Sequence, residues 1–113
     1  MKKSIGLMVV FTLVSLMSVG QSSEKKKETF KVYGNCGMCE KTIEGALNGK
    51  SGIYKADWNK DSKKMSVSYD PSKITLDQVK QRIADAGYDT DSHRAKKEKY
   101  EGLHGCCQYE RPK

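Results

Sequence analysis

Proline and histidine are both scarce in this chain of 113 residues, which contains two of each. Neither proline, Pro71 or Pro112, lies within a Cys-X-X-Cys motif, so the aromatic-Cys-Gly-Pro-Cys pattern of many disulfide oxidoreductases is absent. The sequence also lacks a candidate Ser-His-Asp triad, a phosphate-binding loop and paired carboxylates in a glycine-rich context. These absences exclude the common catalytic arrangements, and we expect that the protein is not an enzyme.

A long apolar segment that could cross a bilayer is also missing. The uncharged run of residues 5–19 is shorter than the ~20 residues that a spanning helix needs. Lys2 and Lys3 precede it, and Ser18 and Gly20 supply small residues at its end, as is typical of a cleaved secretory signal. We therefore predict a signal peptide over residues 1–20 and an exported, periplasmic protein, with an uncleaved membrane anchor as the alternative.

The formal charge of the chain is +7 at pH 7, but its basic residues are mostly interspersed with acidic ones. Such mixing is typical of solvated surface, so we expect no nucleic-acid partner. Residues 21–28 are polar throughout and predict a flexible leader.

Alternating and helical patterns of apolar residues predict one small α+β domain over residues 29–93. Strands are expected at residues 29–33, 54–58, 65–69 and 88–93, the last of them low in apolar residues. One helical stripe begins at Cys39 and ends near Leu47, and Thr75 with Gln78 forms a capping box for a second helix. The predicted order is therefore βαββαβ, followed by a Cys-Cys tail over residues 94–113. The residues expected to form the core are Phe30, Val32, Ile43, Leu47, Ala56, Trp58, Val67, Leu76, Val79 and Ile83.

Two of the four cysteines, Cys36 and Cys39, lie in a glycine-containing turn between the first strand and the first helix. Unsatisfied N–H groups at a helix start favour the thiolate, which is the form that binds metal and attacks disulfides. The residues thus predict thiolate chemistry, either a soft-metal site or a redox disulfide.

The segment Gly34-Asn35-Cys36-Gly37-Met38-Cys39, with this order of elements, resembles the heavy-metal-associated domain family. The resemblance implies a ferredoxin-like open sandwich, with two helices on a four-stranded antiparallel sheet. It also implies that Cys36 and Cys39 bind one soft cation, although Gly34 stands where the family usually has methionine. Tyr88 matches a family aromatic that often approaches the metal loop, while simple core packing is the alternative for it.

Two thiolates select soft ions such as Cu(I) or Hg(II), whereas Zn(II) usually takes four ligands in a closed site and is less favoured. The tail could supply more ligands through Cys106 and Cys107, with His104 as a substitute for one of them. The tail cysteines could instead form disulfides with each other, with the first pair or with another chain.

These observations predict an exported protein that captures a soft cation, as a monomer or a metal-bridged dimer. The ion would pass to a membrane metal transporter or metal-exporting ATPase, or would be sequestered. The alternative function is thiol–disulfide exchange at the same cysteines. Because the tail has few apolar residues, we expect truncation after Arg94 to cost at most ~1–2 kcal/mol of stability.

Overall fold

Three antiparallel strands form the sheet in the computed structural model, which describes residues 24–113. They are β1 (Lys26–Lys31), β2 (Ile53–Trp58) and β3 (Lys64–Tyr69), with β3 between the other two. β1 begins three residues earlier than predicted, because residues 26–28 pair with residues 67–69 of β3. The end of the predicted leader therefore lies in the sheet, whereas the predicted signal peptide lies outside the described residues.

Two longer helices and two short ones complete the described fold. Helix α1 (Gly37–Gly45) follows β1, and helix α2 (Leu76–Asp85) follows β3. The predicted capping box of α2 is present: Gln78 N–H donates to the Thr75 hydroxyl, and Thr75 N–H donates to the Gln78 side chain. The tail adds helix α3 (Lys97–Glu101) and a 3₁₀ turn (Gly105–Cys107), neither of which the sequence pattern predicts.

One face of the sheet and the apolar stripes of α1 and α2 enclose a single core. Alternate residues of β3 are buried, as expected for a strand with one covered face. In β2 only Ala56 and Trp58 follow this pattern, because the pairing is irregular between Ile53 and Lys55 and Tyr54 is exposed. All but one of the predicted core residues are buried, and Leu76 is half-buried at the edge. The buried members of that prediction are Phe30, Val32, Ile43, Leu47, Ala56, Trp58, Val67, Val79 and Ile83.

The predicted fourth strand does not form in the described part of the chain, so the four-stranded sheet is corrected to three strands. Residues 88–93 contribute only an isolated bridge, between Thr90 and Val32 beside β1. The chain leaves the sheet edge because Thr90 N–H donates to the His93 carbonyl and closes a turn. The Asp89 carboxylate bonds instead to the tail, at Ala95 N–H and at Arg111. The turn and the contacts of Asp89 with the tail thus take the place of a continuous ladder of hydrogen bonds between residues 88–93 and β1.

The tail is part of the core, contrary to the expectation that it adds little buried area. Ala95, Cys107 and Tyr109 are buried, and Tyr100 and Leu103 pack against the same cluster. The tail packs closely against Gly87, whose φ of +107° suits glycine. The absence of a Cβ at Gly87 leaves room for the Leu103 side chain. Residues 94–113 therefore belong to the folded unit.

Within residues 24–113, no helix combines the length and the apolar character that crossing a membrane requires.

Candidate metal centre

The first two thiols lie side by side at the start of α1. Cys36 is the N-cap residue in extended conformation, and Cys39 lies in the first turn, so both side chains project from the same helix end. Their Sγ atoms are 3.9 Å apart. Cys39 is buried and Cys36 is half-buried, and neither forms a disulfide. The structure thus brings the two predicted residues into one dithiol site.

Close packing fixes the loop before Cys36. A Cβ atom at Gly34 would lie 2.9 Å from Cη2 of Trp58 and 3.2 Å from Cδ1 of Ile43. The Trp58 indole therefore takes the space that a larger residue would need, which accounts for glycine where the resembled loop has methionine. The indole N–H donates to the Val32 carbonyl at 3.0 Å, so the ring itself is held in place.

The start of α1 stabilises a thiolate at Cys36. Backbone N–H groups of Cys39 and Met38 point at its sulfur and lower its pKa to about 7. This is the effect expected of unsatisfied N–H groups in a first helical turn. A further N–H group, that of Asn35, donates to the Cys39 sulfur at 3.4 Å. A large fraction of Cys36 is thus available as thiolate at neutral pH.

The tail returns to the same loop and brings two more thiols. The Sγ atoms of Cys36, Cys106 and Cys107 all lie within 4.8 Å of one another. The Cys106 carbonyl accepts hydrogen bonds from the Asn35 side-chain amide at 3.3 Å and from the Cys36 thiol at 3.7 Å. We name Cys36, Cys39, Cys106 and Cys107 the thiol cluster; none of its members is in a disulfide.

The two tail thiols differ in their surroundings. Cys106 is exposed, and its thiol contacts the Met38 sulfur at 3.8 Å. Cys107 is buried, at 2% exposure, in the 3₁₀ turn. Burial, with the thiol of Cys39 beside it, raises the pKa of Cys107 to about 12. In the metal-free chain, Cys107 is therefore a neutral thiol.

Tyr88 faces the buried side of the thiol cluster. Its side chain is fully buried, and its hydroxyl has no hydrogen-bond partner in the described residues. Burial, followed by the neighbouring Cys107 and Cys39 thiols, raises the pKa of Tyr88. The hydroxyl is therefore protonated, with the Thr42 side chain as a further polar neighbour, and the ring also stacks on Tyr109 at a centroid distance of 5.7 Å.

The structure does not place the His104 side chain with the sulfurs of the thiol cluster. His104 is exposed at the cap of the 3₁₀ turn, and its carbonyl accepts a hydrogen bond from Cys107 N–H. Two positioning residues, Asn35 and Tyr109, were not predicted from the sequence. Asn35 is next to Cys36, so its position was a usable signal, whereas the partners of Tyr109 are distant in sequence.

Known proteins resemble the part of the chain that carries the first cysteine pair. Residues 29–89 match the heavy-metal-associated domain. The copper chaperone CopZ of Staphylococcus aureus (strain JH9) is 42% identical over 64 residues, covering 56% of this chain and 94% of that protein. The match to the domain includes Cys36, Cys39 and Tyr88 and ends before the tail.

Two solved structures show the same similarity in three dimensions. Oxidized MerP from Ralstonia metallidurans CH34 has a TM-score of 0.57 and 26% identity, over 60% of this chain and 96% of that chain. The water-soluble region of the P-type ATPase CopA from Bacillus subtilis has a TM-score of 0.57 and 29% identity, over 60% of this chain and 46% of that chain. The α+β fold is thus shared with a family of known architecture.

Proposed function

This chain belongs to the heavy-metal-associated domain family, and from that premise we propose that it captures Cu(I) with the thiolates of Cys36 and Cys39. The observation that carries the proposal is the pair of sulfurs, 3.9 Å apart, at the start of α1. Thiolates are soft ligands that select Cu(I) over hard cations. The low pKa of Cys36 favours its deprotonated, metal-binding form at neutral pH.

The choice of copper rests on the relatives as well as on the ligands. A copper chaperone is 42% identical over the domain, and a soluble region of a P-type ATPase shares the fold. Hg(II) has the same preference for sulfur and is the second ion to test, whereas Zn(II) is disfavoured by a two-thiolate site. None of the relatives named above is a thiol–disulfide exchange protein, and that alternative is an outcome of the test below.

A copper-transporting ATPase or other membrane metal transporter is the partner that we propose. Transfer would proceed by exchange: a partner thiolate binds the ion, a three-sulfur intermediate forms, and one of the original thiolates leaves. The half-buried Cys36 is open to such an incoming ligand, whereas the buried Cys39 is not. We further propose export through the signal predicted over residues 1–20, which an intact-mass measurement on protein from the native envelope would test.

The test is a Cu(I) titration of the reduced full chain against a chromogenic chelator without oxygen. We expect Cys36→Ser and Cys39→Ser each to weaken binding by at least about a hundredfold, because each removes a directly bound sulfur. Lys41→Ser, on an exposed face of α1, is the matched control and should leave the affinity unchanged. Unchanged affinity in both cysteine variants would contradict the proposal. A protein that binds no metal and carries an oxidising Cys36–Cys39 disulfide would support thiol–disulfide exchange instead.

A further inference from the structure

The arrangement of the thiol cluster differs from that expected of an isolated dithiol. For a metal–thiolate bond of about 2.3 Å, two sulfurs lie about 4.6 Å apart across a linear ion, about 4.0 Å apart around a trigonal ion and about 3.8 Å apart around a tetrahedral ion. The Cys36–Cys39 separation of 3.9 Å is close to the last two values. The sulfurs of Cys36, Cys106 and Cys107 all lie within 4.8 Å of one another, and Cys39 joins this triad through its contact with Cys36. Three other thiols thus surround the Cys36 sulfur, which is more than an isolated dithiol provides.

The buried hydroxyl of Tyr88 is an independent sign that this cluster holds an ion. A buried donor without a partner is destabilising, and native proteins rarely leave one unexplained. The Tyr88 hydroxyl is such a donor, and the groups beside it are the thiols of Cys107 and Cys39 and the Thr42 side chain, whose hydroxyl already donates to the Met38 carbonyl. A metal-bound thiolate is a much better acceptor than a neutral thiol, so the hydroxyl gains its partner when these sulfurs bind an ion.

We propose that Cys107 is the third ligand of the metal site, so that one soft ion is bound by Cys36, Cys39 and Cys107. The proposal rests on the proposed function, because it adds a ligand to the same site. Cys107 is preferred to Cys106 because it is buried and lies beside both Cys39 and Tyr88. Adjacent cysteines bind one ion together only with backbone strain, so Cys106 stays outside the ligand set and offers an exposed thiol at the entrance.

The third sulfur is positioned before the ion arrives. Cys107 N–H donates to the His104 carbonyl at 2.8 Å, and Tyr109 N–H donates to the Cys107 carbonyl at 2.9 Å. The Tyr109 hydroxyl is in turn held by Asp89 N–H and by the Gly87 carbonyl. Because these contacts already order the tail, binding the ion requires little further loss of conformational freedom.

This third ligand changes how the ion is released. Each sulfur that is still protonated loses its proton to solvent as its bond to the metal forms, and the oxidation state of the ion does not change. Release to a partner must then displace Cys107 as well as one of the first two thiolates, because the tail already occupies the position of an incoming ligand. The tail therefore makes the protein retain its ion more strongly than an isolated dithiol loop would.

X-ray absorption on the full chain, reduced and loaded with one equivalent of Cu(I), counts the bound sulfurs directly. We expect three sulfurs in the unmodified protein, three in Cys106→Ser and two in Cys107→Ser. Release to excess dithiothreitol should be at least about tenfold faster in Cys107→Ser, whereas Cys106→Ser should stay within a factor of about three. Melting curves of the metal-free variants show whether each one folds. If Cys107→Ser does not fold, the counts for the unmodified protein and Cys106→Ser still decide the result.

The alternative outcomes separate this inference from the proposed function. Tight binding of Cu(I) by two sulfurs in the unmodified protein would overturn the third ligand and leave the dithiol site intact. A count of two in Cys106→Ser with three in Cys107→Ser would assign the ligand to Cys106 and overturn the proposal. Four sulfurs in the unmodified protein would also overturn it, since both tail thiols would then bind. A chain that binds no Cu(I) would overturn both proposals.

Discussion

Replacement of Arg111 by alanine tests whether the tail stabilises the fold. Arg111 Nε donates to Asp89 Oδ2 at 2.8 Å, and its Nη2 donates to Asp89 Oδ1 at 2.8 Å and to the Ala95 carbonyl at 2.6 Å. The Asp89 side chain is only 1% exposed. Burial alone would raise the pKa of Asp89, but hydrogen bonds from Arg111 and Ala95 and the Arg111 charge outweigh it and hold the pKa below its usual range.

The expected loss is large because the substitution leaves a buried charge without its partner. Breaking a buried ion pair by removing one member costs about 3–5 kcal/mol. A domain of this size is stable by about 5–15 kcal/mol in total. At 4–8 °C per kcal/mol, the melting temperature of Arg111→Ala should fall by at least about 12 °C. Truncation after Arg94 also removes the buried side chains of Cys107 and Tyr109, so we expect the truncated chain not to fold.

Urea unfolding of the reduced, metal-free chain, followed by circular dichroism, measures the effect. Arg94→Ala is the matched control, because Arg94 is exposed and donates one hydrogen bond to the Pro112 carbonyl; it should cost less than about 1 kcal/mol. Replacing both partners, as in Asp89→Asn with Arg111→Met, should cost less than Arg111→Ala alone. Equal, small losses in Arg111→Ala and Arg94→Ala would refute the reasoning.

The same pair fixes the sign of a pH dependence. The pKa of Asp89 is lower in the folded chain than its usual value of about 3.9. Its contribution to stability is therefore complete above the unfolded pKa and is lost as the pH falls through the folded pKa. In Arg111→Ala the carboxylate stays buried but loses its cation, so its folded pKa rises. The difference in stability between the unmodified chain and Arg111→Ala should consequently shrink as the pH falls through that raised pKa, and stop changing below the folded pKa of the unmodified chain.

Two further predictions concern the metal site. Tyr88→Phe removes a buried hydroxyl that has no partner in the metal-free chain, so the free energy of unfolding should stay the same or rise by up to ~1 kcal/mol. The affinity for Cu(I) should fall about tenfold. Melts and competition titrations that show lower stability with unchanged affinity would contradict this. Alkylation of Cys36, mapped by mass spectrometry, should have its midpoint near pH 7, because helix N–H groups lower the pKa of this thiol. Cys107 should resist alkylation up to about pH 9, because burial raises its pKa to about 12. In urea both thiols should titrate near the ordinary value of about 8.5, and equal midpoints in the folded chain would contradict the assigned environments.

Local sequence signals were sufficient for the first part of the fold. Thr75 and Gln78 satisfy each other's backbone N–H groups within four residues, so the start of α2 could be predicted from spacing alone. Met65, Val67 and Tyr69 alternate in sequence and are buried on one face of β3. The position of the Cys36–Cys39 turn between β1 and α1 follows from the same kind of pattern. In each case the residues that determine the structure are neighbours in sequence.

The fourth strand and the tail could not be predicted in this way, because their contacts join distant residues. The Asp89 carboxylate makes its ion pair with Arg111, 22 positions later, and Asn35 contacts the Cys106 carbonyl, 71 positions later. Helix α3 and the 3₁₀ turn are too short for a helical period to appear in the sequence. The tail was therefore expected to be a charged extension, although Tyr109 inserts into the core.

The neighbours Tyr88 and Asp89 connect the stability of the tail to the geometry of the site. Tyr88 faces the thiol cluster, while Asp89 holds Arg111. A loss of the Arg111 contact should therefore displace Cys107 from Cys39 even though Arg111 binds no ion. Conversely, an ion bound only by the folded chain stabilises it in proportion to the logarithm of its concentration, so Cu(I) should restore part of the stability lost in Arg111→Ala. Weaker metal binding in Arg111→Ala would consequently reflect a displaced ligand that is still present. The number of bound sulfurs separates the two cases: Arg111→Ala should still bind Cu(I) through three sulfurs, whereas Cys107→Ser should bind it through two.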